Sequence, residues 1–224
     1  RRFLEDHKML IKNIKSEIKK SPVLQTIFNI FLNKFRQLGS KKKWNTLSHQ
    51  KEIKLELGSG PKKGTNGWTT IDTQSSDINW DLRRGIPLPD NCVDEIYSSH
   101  LLEHISYHDL VIFLSECHRV MRVEGKFLVC VPNFKLYIDA YQEGRMFKNR
   151  DSWWKPGLID TGSAIDQLNY ITYMRGQHKY MFDEENLINT LRQAGFSDVK
   201  LRKFDHQLDL KERDSESIYA LALK

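Results

Sequence analysis

Ile53-Lys54-Leu55-Glu56-Leu57-Gly58-Ser59-Gly60 is the stretch from which the rest of this chain can be read. A short apolar strand carrying one acid runs straight into a glycine-rich turn. Such a turn lets a ligand come close to the backbone, where any Cβ would obstruct it. Two further acids follow, Asp72 at the end of a second strand-like run and Asp81 shortly after. Together they describe an edge suited to a nucleoside.

From residue 53 onward, strands alternate with helices. Strand-like runs lie at 53–57, 68–72, 93–98, 126–131, 198–204 and 217–223, with helical patterns at about 101–122 and 183–194. The second helix opens on Asp183-Glu184-Glu185 and closes at Ala194-Gly195, acids at the start and glycine at the stop. This alternation predicts an open, mainly parallel α/β sheet whose ligands bind beyond the carboxyl ends of the strands.

A chain of 224 residues with 39% hydrophobic content can bury one sizeable core. The net charge of +6 is unevenly placed. Residues 1–52 hold 13 of the 35 Lys and Arg but only 4 of the 29 Asp and Glu, so the remainder is mildly acidic. That argues against a nucleic-acid partner for the main body, since phosphate binding needs clustered cations. Cys92, Cys117 and Cys130 lack close Cys-x-x-Cys spacing and suit reduced thiols in a cytoplasmic protein. The chain opens on Arg1 rather than Met, which leaves room for sequence upstream.

The leader reads as two basic amphipathic helices. Leu10, Ile11, Ile14 and Ile18 face away from Lys12, Lys15, Lys19 and Lys20. Ser21-Pro22 then starts a stripe of Val23, Leu24, Ile27, Phe28, Phe31, Phe35 and Leu38 that stops at Gly39. The stripe suits packing on the main domain or peripheral contact with an anionic membrane or a partner. Gly39 to Gln50 reads as a linker. The division expected is a leader and linker over 1–50 and a main domain over 51–224.

Two cofactors fit a strand, glycine turn and acid. A dinucleotide site asks for G-x-G-x-x-G, yet Gly58-Ser59-Gly60-Pro61-Lys62-Lys63 lacks the third glycine, and Pro61 removes an N–H that would cradle a pyrophosphate. The ordered blocks Leu-Glu-Leu-Gly-Ser-Gly, Gly67-Trp68-Thr69-Thr70-Ile71-Asp72, Asp81-Leu82, Leu88 to His104, Gly125 to Asn133 and Leu191 to Phe196 resemble those of the class I S-adenosylmethionine-dependent methyltransferases. The likeness is greatest to short members associated with sugar and cell-envelope biosynthesis. It covers about residues 53–223 and implies a Rossmann-like methyltransferase sheet, mainly parallel with an antiparallel last strand.

The resemblance implies that Gly58, Ser59 and Gly60 underlie the cofactor's amino-acid and ribose part, with Glu56 orienting the turn. It further implies that Asp72 takes the ribose hydroxyls, that Asp81 and Leu82 flank the adenine, and that Ser98, Ser99 and His100 border the sulfonium. The chain departs from the family pattern in its short connections after the glycine turn, so the early helices must be abbreviated. The implied acceptor is small and polar, a sugar or envelope-precursor hydroxyl or amine.

An insertion at about 134–182 holds ten of the chain's 24 aromatics, interleaved with Arg145, Lys148, Arg150, Arg175 and Lys179. It reads as a substrate cap, with Trp153, Trp154 and Arg175 as acceptor contacts. His178, His104 and Asp139 are the candidate bases for a hydroxyl acceptor. Trp68 and Trp80 read as packing residues.

Two other functions fit parts of the chain. His100-Leu-Leu-Glu103-His104 matches H-x-x-E-H, a zinc-hydrolase pattern that His108 extends. That alternative needs metal, whereas the methyltransferase reading calls for none. A non-catalytic scaffold on the same fold is the other.

Overall fold

In the computed structural model, Ser21, Leu24 and residues 39–147 and 161–224 are described. Apart from Leu24, the leader stripe lies outside the described residues, as do Trp153, Trp154, Lys148 and Arg150. The chain divides into two compact units, Arg1–Lys43 and Trp44–Lys224. Residues 39–47, expected as linker, are helical (α1). Trp44 and Leu47, three residues apart on one face, are buried, and that burial outweighs the polar composition. Gly39 therefore does not end a helix there.

Seven strands form one sheet in the order β3-β2-β1-β4-β5-β7-β6. They are β1 Lys54–Leu57, β2 Trp68–Asp72, β3 Ile78–Asn79, β4 Val93–Ser99, β5 Met121–Pro132, β6 Ser197–Leu201 and β7 Ser217–Leu223. The pairings β1–β2, β1–β4, β2–β3 and β4–β5 are parallel, while β7 runs antiparallel to both β5 and β6. This is the open α/β sheet, mainly parallel with an antiparallel last strand, expected from the sequence. The order reverses between β1 and β4, and the crevice beyond their carboxyl ends is where such sheets bind ligands.

The helix pattern expected from 101 to 122 is split. Leu102–His104 form a 3-10 turn, and α2 spans Tyr107–Val120. Ser106, in extended conformation, caps α2 by accepting a hydrogen bond from the Asp109 N–H. Leu110, Phe113, Leu114, Cys117 and Val120 then face the sheet, packing with Leu55, Leu57, Ile96, Phe127 and Val129 into the main core. α5, Glu184–Gln193, adds Leu187 and Leu191, its start capped by Asp183. The three cysteines are free, Cys117 and Cys130 buried and Cys92 partly so.

The insertion contains α3, Phe134–Gln142, and α4, Ile165–Tyr173. Phe134, Tyr137 and Ile171 form a second small core, with Phe147 packed on Tyr137 at 4.8 Å between ring centroids. Part of the aromatic content of the insertion therefore holds the cap together. Trp80 also packs, edge-on to Trp44, with its Nε1–H donating to the Gly85 carbonyl at 2.8 Å.

No helix connects β1 to β2 or β2 to β3. Side chains organise these crossovers instead. Asp77 Oδ2 accepts from the Gly64 N–H at 2.8 Å, the Thr70 N–H at 3.2 Å and the Thr70 hydroxyl at 2.9 Å. Burial pushes the Asp77 carboxyl up, but these donors and nearby Lys63 outweigh it and hold the group below the usual carboxylate range. A group so depressed stabilises the fold above its unfolded value of about 3.9 and stops doing so as pH falls through the folded value. Asp77→Ala is expected to lower unfolding free energy by about 1–3 kcal/mol. Urea titrations of the wild type and Asp77→Asn should converge as pH drops below about 4. Equal stability at neutral pH would show that Asp77 does not hold the crossover.

Candidate active site

The glycine turn is shaped from below by the sheet. The Gly58 N–H donates to the Ile71 carbonyl at 2.9 Å, carrying the β1–β2 ladder one residue past the strand end. Gly58 has φ of +70°, and a Cβ there would lie 2.8 Å from the Leu101 side chain. Gly60 has φ of +68°, and a Cβ there would meet nothing within 4 Å. The turn thus presents bare backbone to open space, a cradle that a side chain would fill.

Asp72 holds this turn. Its Oδ2 accepts from the Gly60 N–H at 2.9 Å, and its Oδ1 accepts from the Thr73 N–H at 2.6 Å and the Thr73 hydroxyl at 3.0 Å. Glu56 pairs with Lys62 at 2.6 Å across the turn. Asp81 caps the 3-10 turn Leu82–Arg84 and takes a two-bond grip from Arg83, at 2.9 and 2.8 Å. The Arg83 guanidinium holds the Asp81 carboxyl below the usual range.

Two cavities open above these residues, of about 220 and 810 Å³. The smaller includes Trp80, Asp81, Leu82, Ile112 and Phe113 in its lining, a half-apolar slot on the β2–β3 side. The larger is lined by Glu56, Ser59, Gly60, Ser99, His100, Gln177 and Arg213, among others. Gly58, Asp72, Thr73, Leu101, His104 and Lys179 line both, so the two meet over the glycine turn. The Asp72 carboxylate at the junction suits a sulfonium cation, and the apolar slot beside Asp81 suits a flat ring. The residues present fit S-adenosylmethionine.

Nine of the ten expected cofactor residues line one cavity or the other. Ser98 does not: it is fully buried in β4, its hydroxyl without a hydrogen-bond partner. Alternation along the strand puts its neighbours Tyr97 and Ser99 on the cavity side. Among the candidate bases, Asp139 is displaced from the site. It pairs with Lys135 one turn earlier on α3 and lines neither cavity. Arg175 also lines neither. It sits in a tight turn with φ of +57°, while the following Gly176, Gln177 and Lys179 reach the larger cavity.

His178 is 6% exposed and lines neither cavity, so it cannot meet an acceptor directly. It stacks edge-on to His104, 4.9 Å between ring centroids, and His104 is the one that lines both cavities. Burial lowers the pKa of each ring, favouring the neutral form. Beneath them Glu103 is fully buried, and neither carboxylate oxygen has a hydrogen-bond partner. Burial pushes its carboxyl up to about 8. The backbone carbonyl of Glu103 accepts from the Lys179 and Tyr180 N–H groups at 2.7 and 3.2 Å, which docks the cap segment on the 3-10 turn.

His100 has φ of +52°, rare for a side-chain-bearing residue, and its Nε2 lies 3.0 Å from the Ser217 hydroxyl. The H-x-x-E-H pattern falls in this turn rather than within a helix, and His108 is exposed, so the histidine spacing of a zinc hydrolase is not assembled. Sequence reasoning missed Thr73, Asp77 and Arg213, which carry no motif signal. Thr73 and Asp77 lie in the short β2–β3 connection, and Arg213 comes from the segment before β7.

The family model described as "Methyltransferase domain" matches residues 56–129. A probable S-adenosylmethionine-dependent methyltransferase of Mycolicibacterium smegmatis is 44% identical over 57 residues, 24% of this chain and 21% of the relative. The chain thus aligns with about a fifth of that relative's length. A methyltransferase structure from Archaeoglobus fulgidus covers 88% of this chain, at 16% identity and a TM-score of 0.47, with 99% of that chain matched. One from Mesorhizobium loti covers 77%, at 15% identity and 0.47, with 90% of that chain matched. The matched residues 56–129 run from β1 into β5 and include the glycine turn, so the likeness to a methyltransferase domain falls on the part of the chain that builds the candidate site.

Proposed function

We propose that this protein transfers the methyl group of S-adenosylmethionine to a small polar acceptor, a hydroxyl or amine of a sugar or cell-envelope precursor. The observation that carries the reading is the bare glycine turn clamped by Asp72, at the meeting point of the two cavities. Gly58, Ser59, Gly60 and Asp72 would hold the amino-acid and ribose part, with Asp81 and Leu82 beside the adenine. Bound S-adenosylmethionine supplies an electrophilic methyl, which the acceptor's lone pair displaces in line while the carbon–sulfur pair returns to sulfur.

The chain's own work is alignment and exclusion of water. Leu101 packs under the turn, and the cap segment 176–180 closes over the 3-10 turn. The acceptor's proton departs toward His104, at the cavity junction. Its Nδ1 donates to the Gln177 carbonyl at 3.1 Å, which leaves Nε2 as the lone-pair nitrogen. Arg213 and Lys179, both on the larger cavity, suit an acceptor that carries phosphate or carboxylate. A scaffold without catalysis would have no use for this open turn and paired cavities. The basic leader is assigned to a peripheral anionic partner. No helix among the described residues is long and apolar enough to cross a membrane.

Calorimetric titration is expected to give S-adenosylmethionine a dissociation constant in the range of about 1 μM to 1 mM, and NAD no binding. Asp72→Ala should weaken that binding about tenfold or more, with the far-ultraviolet dichroism kept. Unchanged affinity in that variant would overturn the cofactor assignment. In a mass-spectrometric screen of nucleotide sugars and amino sugars, the accepted compound should gain one methyl. Arg213→Ala should then raise the acceptor KM about tenfold while leaving S-adenosylmethionine affinity intact. An acceptor KM that does not move places the anion contact elsewhere.

A further inference from the structure

Glu103, His104 and His178 each offer a ligand atom, and these atoms lie within 4.8 Å of one another. Three points so spaced fit within a circle of about 2.8 Å radius. A zinc ion needs about 2.0–2.2 Å to nitrogen or oxygen. Closing the gap takes under about 1 Å of movement from each side chain. Glu103 Oε1 already lies 3.9 Å from His104 Nε2.

Each histidine is held in the manner of a metal ligand. His104 Nδ1 lies 3.1 Å from the Gln177 carbonyl, and His178 Nδ1 lies 2.5 Å from the Ile171 carbonyl. A carbonyl only accepts, so both Nδ1 atoms carry the proton and both Nε2 atoms keep the lone pair. Such outer hydrogen bonds fix tautomer and ring orientation at metal centres. The second, independent observation is Glu103 itself. It is fully buried and neither carboxylate oxygen has a hydrogen bond, Oε1 meeting only the His100 and His104 ring nitrogens at 3.5 and 3.9 Å, a costly arrangement for a buried carboxylate.

We propose that Glu103, His104 and His178 form a binding site for a divalent zinc-type cation at the edge of the acceptor cavity. One carboxylate oxygen and two imidazole nitrogens match the donor preference of Zn²⁺, and three protein ligands leave a fourth position open. His104 lines the acceptor cavity, so an ion held on its Nε2 would stand at the cavity's edge. Resting on the methyl-transfer reading, this gives the ion a task. It would bind an acceptor hydroxyl oxygen as a Lewis acid and lower its pKa, so that the proton passes to water in the open cavity rather than to His104, whose Nε2 lone pair the ion then occupies. Lys179 and Arg213 nearby would favour an acceptor whose own negative charge offsets theirs.

The test uses the full chain stripped with a chelator and then titrated with Zn²⁺ alone by calorimetry. One equivalent should bind, and His178→Ala and Glu103→Gln should each weaken it by at least about tenfold. No binding, or binding that neither substitution alters, overturns the site. If a variant does not fold, Co²⁺ added to the unsubstituted chain decides. Intense visible bands of a four-coordinate site support the proposal, and the weak spectrum of hydrated Co²⁺ overturns it. S-adenosylmethionine titrated into the stripped chain separates the two readings, because its failure to bind would sink methyl transfer while leaving the zinc result standing.

Discussion

Short crossovers are the constraint on which the site depends. Ten residues separate β1 from β2 and five separate β2 from β3, too few for the helix that normally returns a chain to a parallel strand. Backbone N–H groups that a helix would satisfy must find partners in the loops themselves. Asp72 and Asp77 supply them, one under Gly60 and one under Gly64 and Thr70. The same economy that removes the helices leaves the turn after β1 uncovered, and the cavities open there.

This division explains which parts of the chain were legible in its sequence. The sheet was, because apolar strands with acids at their ends and a glycine turn leave a local signature. The strand runs at 53–57, 68–72 and 217–223 match β1, β2 and β7 to within a residue. The 3-10 turn at Leu102–His104 was not, since Ser106 breaks what the apolar spacing suggests is one helix. Gly39 to Gln50 reads as linker by composition, yet Trp44 and Leu47 are buried by partners distant in sequence. Ser98 was misassigned for a simpler reason. Side chains alternate within β4, so Ser98 points away from the cavity that Tyr97 and Ser99 line.

The histidines show the same limit more sharply. In sequence, His100, His104 and His108 share a helical spacing, and His178 stands alone 74 residues beyond His104. In the fold, His104 and His178 stack, His100 turns toward Ser217, and His108 faces outward. Spacing arguments assume the element they are applied to. Once the turn replaced the helix, the partner of His104 had to come from the cap, and only tertiary structure could name it.

The site is therefore built from two kinds of support. On the cofactor side the contacts are backbone and carboxylate, fixed by strand register, and they tolerate little change because the turn angles themselves do the work. On the side proposed for the acceptor, the cavity is lined by the cap segment 176–180 and the β6–β7 connection, the cap held by backbone hydrogen bonds to Glu103. Loops held this way can change length and side chains without disturbing the strands beneath. It follows that the glycine turn and its acids should be readable from residues 53–82 alone, whereas the lining of the larger cavity also draws on residues that no strand positions. That is why Glu103, which belongs to the sheet side by sequence and to the cap side by contact, sits where the two halves must agree.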